Sequence, residues 1–225
     1  VDFSMAQQDI RYYLNGLLIE VKEKNINIVG TDGHRLSFTS LELTNPTKAA
    51  QVIIPRKTVV ELVKLLNDND DPLEISFSNN QVNFKFSDID LITKVIDGKF
   101  PDYSRVIPEG HENVFNIDRA LLLESMLRAS ILSNDKYRGI RMVVEENNLR
   151  LVSNNSEQEQ AEEELEIEYR GEKIDIGFNV TYLIDVLMNI QSDKLTIAFN
   201  DSSSSCLVTI PNNKKYKYVV MPMRI

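Results

Sequence analysis

The sequence holds a single cysteine, Cys206, and only two histidines. One thiol excludes an internal disulfide, and so small a stock of sulfur and imidazole leaves no Cys/His cluster for a metal. Cys206 stands in the apolar run Cys206-Leu207-Val208, far in sequence from either histidine, and reads as a buried structural thiol. A lone unpaired cysteine suits a reducing compartment, so a cytoplasmic protein is expected. Tryptophan is absent, and the eight glycines form neither GxGxxG nor GxxxxGK[ST], so no phosphate-cradling loop and no nucleotide cofactor is expected. No stretch approaches the ~20 apolar residues of a membrane span. No basic–apolar–small segment opens the sequence, so no signal peptide is expected. What remains is an ordinary globular composition over 225 residues, room for one large domain or two of common size.

Positive charge is also short. The net charge of −9 at first argues against a nucleic-acid partner. Its distribution weakens that objection. Glu157 to Glu168 contains seven glutamates and no Lys or Arg, and subtracting those seven leaves −2 on the rest. Long-range steering follows net charge, but contact follows local patches.

The most informative feature is an internal repeat. Asn15 to Val29 aligns without gaps on Arg138 to Val152, 123 residues on, each copy reading as strand, polar turn and strand. Val59, Leu62, Val63 and Leu66 keep the spacing of an amphipathic helix, and Leu183, Val186, Leu187 and Ile190 keep it 124 residues later. The alternating strands Leu73-Glu74-Ile75-Ser76-Phe77 and Leu195-Thr196-Ile197-Ala198-Phe199 follow at an offset of 122. The second copy opens on a strand at Val114-Phe115-Asn116-Ile117. Asp118 then caps a helix to about Ser130, with Leu123, Met126 and Leu127 on its buried face. The first copy has no such opening, so the sequence reads as a fragment whose first domain lacks a strand and most of a helix.

Strand runs broken by two helical segments per copy indicate an α+β class, a tandem repeat in which two helices pack on antiparallel sheet. Asn79-Asn80 and Asn147-Asn148 suit tight turns. The expected domains are 1–102 and 103–225, joined near Phe100-Pro101-Asp102-Tyr103.

Candidate chemistry is sparse. Thr31-Asp32-Gly33-His34-Arg35-Leu36 contains an Asp/His pair, but catalysis needs a nucleophile aimed at it, and no spacing supplies one. The plain reading is an Asp-Gly turn leading into a strand. His111 reads as a loop residue. The carboxylates of Glu157–Glu168 read as a solvated strand face, with an electrostatic contact to another subunit as the sharper alternative. Arg56, Lys57, Lys64, Arg119, Arg128, Lys136 and Arg138 lie at helix starts and faces, and Arg11-Tyr12-Tyr13 joins cation to aromatic. They are either solvated faces or phosphate contacts without base readout. The helix over Val180 to Ile190 has no Lys or Arg, which tells against the second. The closing Tyr218-Val219-Val220-Met221-Pro222-Met223-Arg224-Ile225 reads as a last strand or as an adaptable apolar patch, since thioethers re-pack around different partners.

Phe3-Ser4-Met5-Ala6, Asp9 to Gly16, Thr31 to Leu36, Pro55-Arg56-Lys57, Gly98 to Tyr103, Ile131 to Asn134, Gly177 to Val180 and Val219 to Arg224 together resemble the bacterial DNA polymerase III beta subunit family, the sliding clamps. The likeness runs from end to end. It implies a non-enzymatic processivity factor without metal or cofactor: two subunits of three domains form a head-to-tail ring on double-stranded DNA. This chain resembles the second domain, less its start, and the third. The resemblance further implies a hydrophobic peptide pocket that takes motifs of replicative polymerase, clamp loader and repair proteins. Its deeper part matches Leu14, Thr31, Gly33, His34, Arg35, Leu36, Pro101, Val106, Val219 and Met221. Its adjoining part matches Arg11, Tyr13, Arg105, Tyr137, Asn179, Tyr182, Ser205, Pro222, Met223 and Arg224. Gln8, Tyr12, Tyr13, Arg56, Lys57 and Arg138 would face DNA. Ile131, Leu132, Glu157, Glu159, Glu162 and Glu163 would meet the partner subunit. Without a first domain, a monomer or a non-native assembly with weak DNA affinity is expected.

Overall fold

The structure is a computed structural model and describes residues 1–66 and 71–225. Two compact units divide the chain, Val1–Tyr103 and Ser104–Ile225. In the first, β1 (Gly16–Lys22), β2 (Asn25–Thr31), β3 (Arg35–Glu42) and β4 (Ala50–Pro55) pair antiparallel in the order β4-β1-β2-β3. The helix α1 (Arg56–Leu65) follows, then β5 (Glu74–Phe77), β6 (Gln81–Phe86) and β7 (Ile89–Lys94) as a three-stranded meander. Leu17, Ile19 and Val21 of β1 share a core with Val59 and Leu62 of α1 and with Val82, Phe84 and Phe86 of β6. Burying each such side chain contributes about 1.5–3 kcal/mol.

The second unit holds β8 (Asn113–Asp118), α2 (Arg119–Ser130), β9 (Gly139–Glu145), β10 (Asn148–Asn154), β11 (Gln160–Glu166), β12 (Ile174–Asn179), α3 (Val180–Asn189), β13 (Lys194–Phe199), β14 (Cys206–Ile210) and β15 (Asn213–Val220). Its strands form β11-β10-β9-β12 and β15-β14-β13-β8, antiparallel throughout.

The repeat is present in the pairing as well as the sequence. The bounds of β9 and β10 lie 123 residues after those of β1 and β2, and those of β12 and α3 lie 124 after those of β4 and α1. The order β12-β9-β10-β11 restates β4-β1-β2-β3. The fold is α+β, but the helices are unequal: among the described residues the first unit has one α-helix and the second has two. What answers to Ser125–Leu127 of α2, 123 residues earlier, is the single 3-10 turn Asp2–Ser4. Three residues close too few intrahelical hydrogen bonds to make an α-helix.

Two helix faces differ from those the spacing predicts. In α1 only Val59 and Leu62 are buried, while Val63 is 60% exposed. The helix ends at Leu65 and Leu66 is already extended, so the second turn of the expected stripe never reaches the core. In α2 the buried residues are Leu122, Ser125, Met126, Ala129 and Ser130, and Leu127 is 45% exposed. Leu121-Leu122-Leu123 offers three phases for the stripe. The phase adopted aligns Ser125 and Ala129, whose small side chains allow α2 to pack against α3 and β10. In α3 all four expected residues, Leu183, Val186, Leu187 and Ile190, are buried.

Candidate functional site

In the first unit the run Thr31–Leu36 is the turn between β2 and β3, and its polar groups are spent on that turn. Gly33 has φ +90, where glycine carries no steric cost. Thr31 Oγ1 accepts from Gly33 N at 3.1 Å and donates to the Arg35 carbonyl at 2.6 Å. Asp32 Oδ1 accepts from the backbone N–H of His34 and Arg35 at 2.9 and 3.1 Å, and Oδ2 accepts from Arg35 Nε at 3.1 Å. Arg35 also reaches the Phe3 carbonyl at 2.9 Å. The Asp32 carboxylate is thus committed to backbone N–H groups and a guanidinium rather than held as a general base.

Arg11 completes this surface. Its guanidinium grips Asp9 through Nε at 3.0 Å and Nη2 at 2.8 Å, touches the Asp32 carbonyl at 3.2 Å, and lies over Gly33. Asn15 holds the loop from below, accepting from Asp9 N and donating to Asp9 O. The Arg11 side chain and backbone N–H bind the Asp9 carboxyl and lower its pKa to about 2. Of the other residues assigned to the pocket from this unit, Leu14 and Leu36 are buried, Tyr13 is half-buried, and Gly33, His34 and Pro101 are exposed. Sequence reasoning passed over the neighbouring Ile10, which is 97% exposed. A lone apolar residue between Asp9 and Arg11 carries no periodic signal.

In the second unit Asn179 caps α3, its side chain accepting from Thr181 N at 2.9 Å. Tyr182 stands one position further, and its carbonyl accepts from the Tyr218 hydroxyl at 2.8 Å. The loop before β9 closes on the same helix start. Asn134 Oδ1 accepts from Lys136 N and Tyr137 N, and the Arg138 carbonyl accepts from Val180 N at 2.8 Å. Lys136 lies over the Tyr137 ring, 5.0 Å from its centroid. The pairing of Cys206 with Val220 brings Ser205 beside Met221. Val219 is buried, Met221 is 37% exposed, and Pro222 and Met223 are half-buried, so the Met-Pro-Met run is at the surface. Arg105 and Arg224 are exposed and Val106 is half-buried.

The basic residues sort into two groups. Arg119 donates to the Ser192 and Leu187 carbonyls at 3.0 and 2.9 Å and so closes the end of α3. Arg128 is bidentate to Glu163 at 2.9 and 2.7 Å, and Lys64 pairs with Glu61. These are structural or intrahelical. Arg56 is half-committed, with one N–H to the Met5 carbonyl at 3.2 Å. Lys57, Gln8 and Tyr12 are exposed, and Tyr12 meets Tyr13 edge-on at 5.9 Å. Arg138 takes φ 49 on the loop beside α3.

The acidic strand β11 is the end strand of its sheet, and its faces alternate. Glu162, Glu164 and Glu166 are exposed, while Leu165 is buried. Glu163 faces α2 and Arg128, so it is engaged inside the unit. Ile131, just after α2, is 76% exposed, Leu132 is half-buried, and Glu157 and Glu159 are exposed. Cys206 is buried, and burial pushes its thiol pKa up. No metal-ligating cluster occurs among the described residues.

Residues 1–102 match the model of the DNA polymerase III beta subunit central domain, and residues 104–224 match the C-terminal domain. The chain is 46% identical to a beta sliding clamp of Pseudomonas aeruginosa over 224 residues, covering 99% of this chain and 61% of that protein. It is 42% identical to the Escherichia coli K12 beta sliding clamp over 223 residues, with the same shares of each. It therefore spans 61% of the length of these relatives. Among solved structures, the DNA polymerase III subunit beta of P. aeruginosa superposes with TM-score 0.97 at 45% identity, over 100% of this chain and 62% of that one. A P. aeruginosa sliding clamp bound to griselimycin gives 0.96 at 45% identity, covering 100% and 61%.

Proposed function

Because the chain belongs to the DNA polymerase III beta subunit family, we propose that it is part of a sliding clamp, a processivity factor that performs no covalent chemistry. The carrying observation is a surface Met-Pro-Met run, Met221 to Met223, beside a polar helix start formed by Asn179, Tyr182 and the Tyr137 loop. Apolar contacts supply affinity for a short hydrophobic motif, and Asn and Arg groups orient its polar flank. The occupants in this reading are segments of replicative polymerase, clamp loader and repair proteins. A P. aeruginosa relative solved bound to griselimycin supports the reading that a clamp of this kind offers a ligand site.

On DNA the whole ring acts by topology. A closed ring cannot leave sideways, so its contacts are free to be weak and blind to sequence. Tyr12, Lys57 and Arg138 are the candidate contacts. The double-stranded DNA partner, the homodimeric ring and the cytoplasmic location all belong to this proposal. So does an interface in which acidic β11 and Ile131 receive a basic edge of the partner subunit. Solvated charge on an end strand discourages indiscriminate pairing and leaves a complementary edge favoured.

The test is titration calorimetry of this chain with a short, largely apolar peptide bearing a polar flank. Saturable heat at micromolar peptide is expected. No heat and no saturation at high micromolar peptide, with the protein folded, would overturn the reading.

A further inference from the structure

We propose that Gly139 and Gly177 are positioning residues: they form a flat seat for the Met221–Ile225 segment, and the level of that seat sets where Pro222 and Met223 stand. The inference rests on the reading that Met221–Arg224 belongs to a peptide-docking surface.

The two glycines lie on neighbouring strands. β9 and β12 pair with Gly139 opposite Asn179 and Arg141 opposite Gly177, so both glycines open onto one face, two register positions apart. Neither has the left-handed φ that marks Gly33 and Gly110. Backbone freedom is therefore not what either position demands. Space is. A Cβ on Gly177 would stand 2.5 Å from Cδ1 and Cγ1 of Ile225 and 2.6 Å from the Met223 carbonyl oxygen. The nearest atoms to a Cβ on Gly139 would be those of the Ile225 side chain, at 3.3 to 3.6 Å. The segment thus lies directly on backbone.

One hydrogen bond fastens it there. Met223 N donates to the Gly177 carbonyl at 2.8 Å, an isolated antiparallel bridge that adds the segment to the edge of β12. Beside it runs a groove of about 560 Å³, walled by the Arg141–Asp175 ion pair and by Ser202. Ile225 is 69% exposed, so little apolar burial opposes displacement. A strap held by one bridge and a close fit responds to any change in the level beneath it. The same shift at Met223 carries Pro222 and Met221 with it through the chain.

The contacts predict an asymmetry. At Gly177 an added methyl meets the Met223 backbone as well as the Ile225 side chain, and the backbone cannot rotate away. At Gly139 it meets the movable end of a side chain. Gly177→Ala is expected to expose the Met223 amide to hydrogen exchange without peptide present, and to weaken peptide binding about tenfold or more. Gly139→Ala is expected to weaken binding about threefold or less, and Gly139→Ala with Ile225→Ala to restore it. Unchanged protection of the Met223 amide in folded Gly177→Ala overturns the seat, and so does unchanged peptide affinity. Should Gly177→Ala not fold, the Gly139 pair decides: a loss that Ile225→Ala does not relieve overturns the proposal. Failure of the parent protein to bind peptide would sink the docking reading instead, and amide exchange would still decide the seat.

Discussion

At the scale of the residue, Glu20 is a case where burial and partners act in opposite directions. It lies on the middle strand β1 and is 7% exposed. Burial alone would raise its pKa, but hydrogen bonds from Tyr103 at 2.5 Å and Asn27 at 3.2 Å, with Lys22 at 2.9 Å, outweigh it and hold the pKa below the ordinary value. Tyr103 also stacks on Phe38 at 5.7 Å, so the end of the first unit is pinned by one hydroxyl and one ring face. Tyr103→Phe keeps the ring and removes the hydroxyl, and should cost about 1–3 kcal/mol at neutral pH. A carboxylate with a depressed folded pKa contributes stability above its unfolded value of about 4.3, lost as pH falls through the folded value. The difference between parent and Tyr103→Phe in urea unfolding should therefore shrink between pH 5 and about pH 3. An equal difference at both would refute the role given to the charge. Nothing in the sequence marks Glu20, which reads as one polar residue in an apolar strand. Its partner Tyr103 lies 83 residues away.

At the scale of the element, local signals fared better than faces. Asp118 caps α2 as its position before the apolar run predicts, accepting from Leu121 N at 2.9 Å. Asp118→Ala should cost about 1 kcal/mol, measured as a lowered midpoint of thermal unfolding, and Asp118→Ser should recover most of it. Loss in both variants alike would mean that the carboxylate acts otherwise. The turn at Thr31–Leu36 was equally legible, because an Asp-Gly pair has few conformations and the hydrogen bonds that close the turn span four residues or fewer. The buried face of α2 was not. Three successive leucines leave its phase open, and α3 and β10, far along the chain, select it. Arg119 shows the same limit: a cation at a helix start suggests phosphate, yet its guanidinium closes the end of α3, 68 residues on.

At the scale of the whole molecule, the proposed ring needs more chain than is present. On its own this chain should sediment as a monomer or as a non-native assembly and bind duplex DNA weakly, with affinity falling steeply as salt rises. Tight binding that persists in high salt would contradict a clamp that holds DNA by enclosure.

The sequence by itself determined the duplication and the α+β class, because both are written in local spacing repeated about 123 residues apart, and it determined the family through the motifs from Phe3 to Arg224 that resemble those of the clamps. Tertiary structure alone decided which cations are spent on carbonyls, which leucines turn inward and why Gly139 and Gly177 have no side chain. Those are questions of what lies opposite a residue once distant strands have paired, and spacing along the chain carries no record of that.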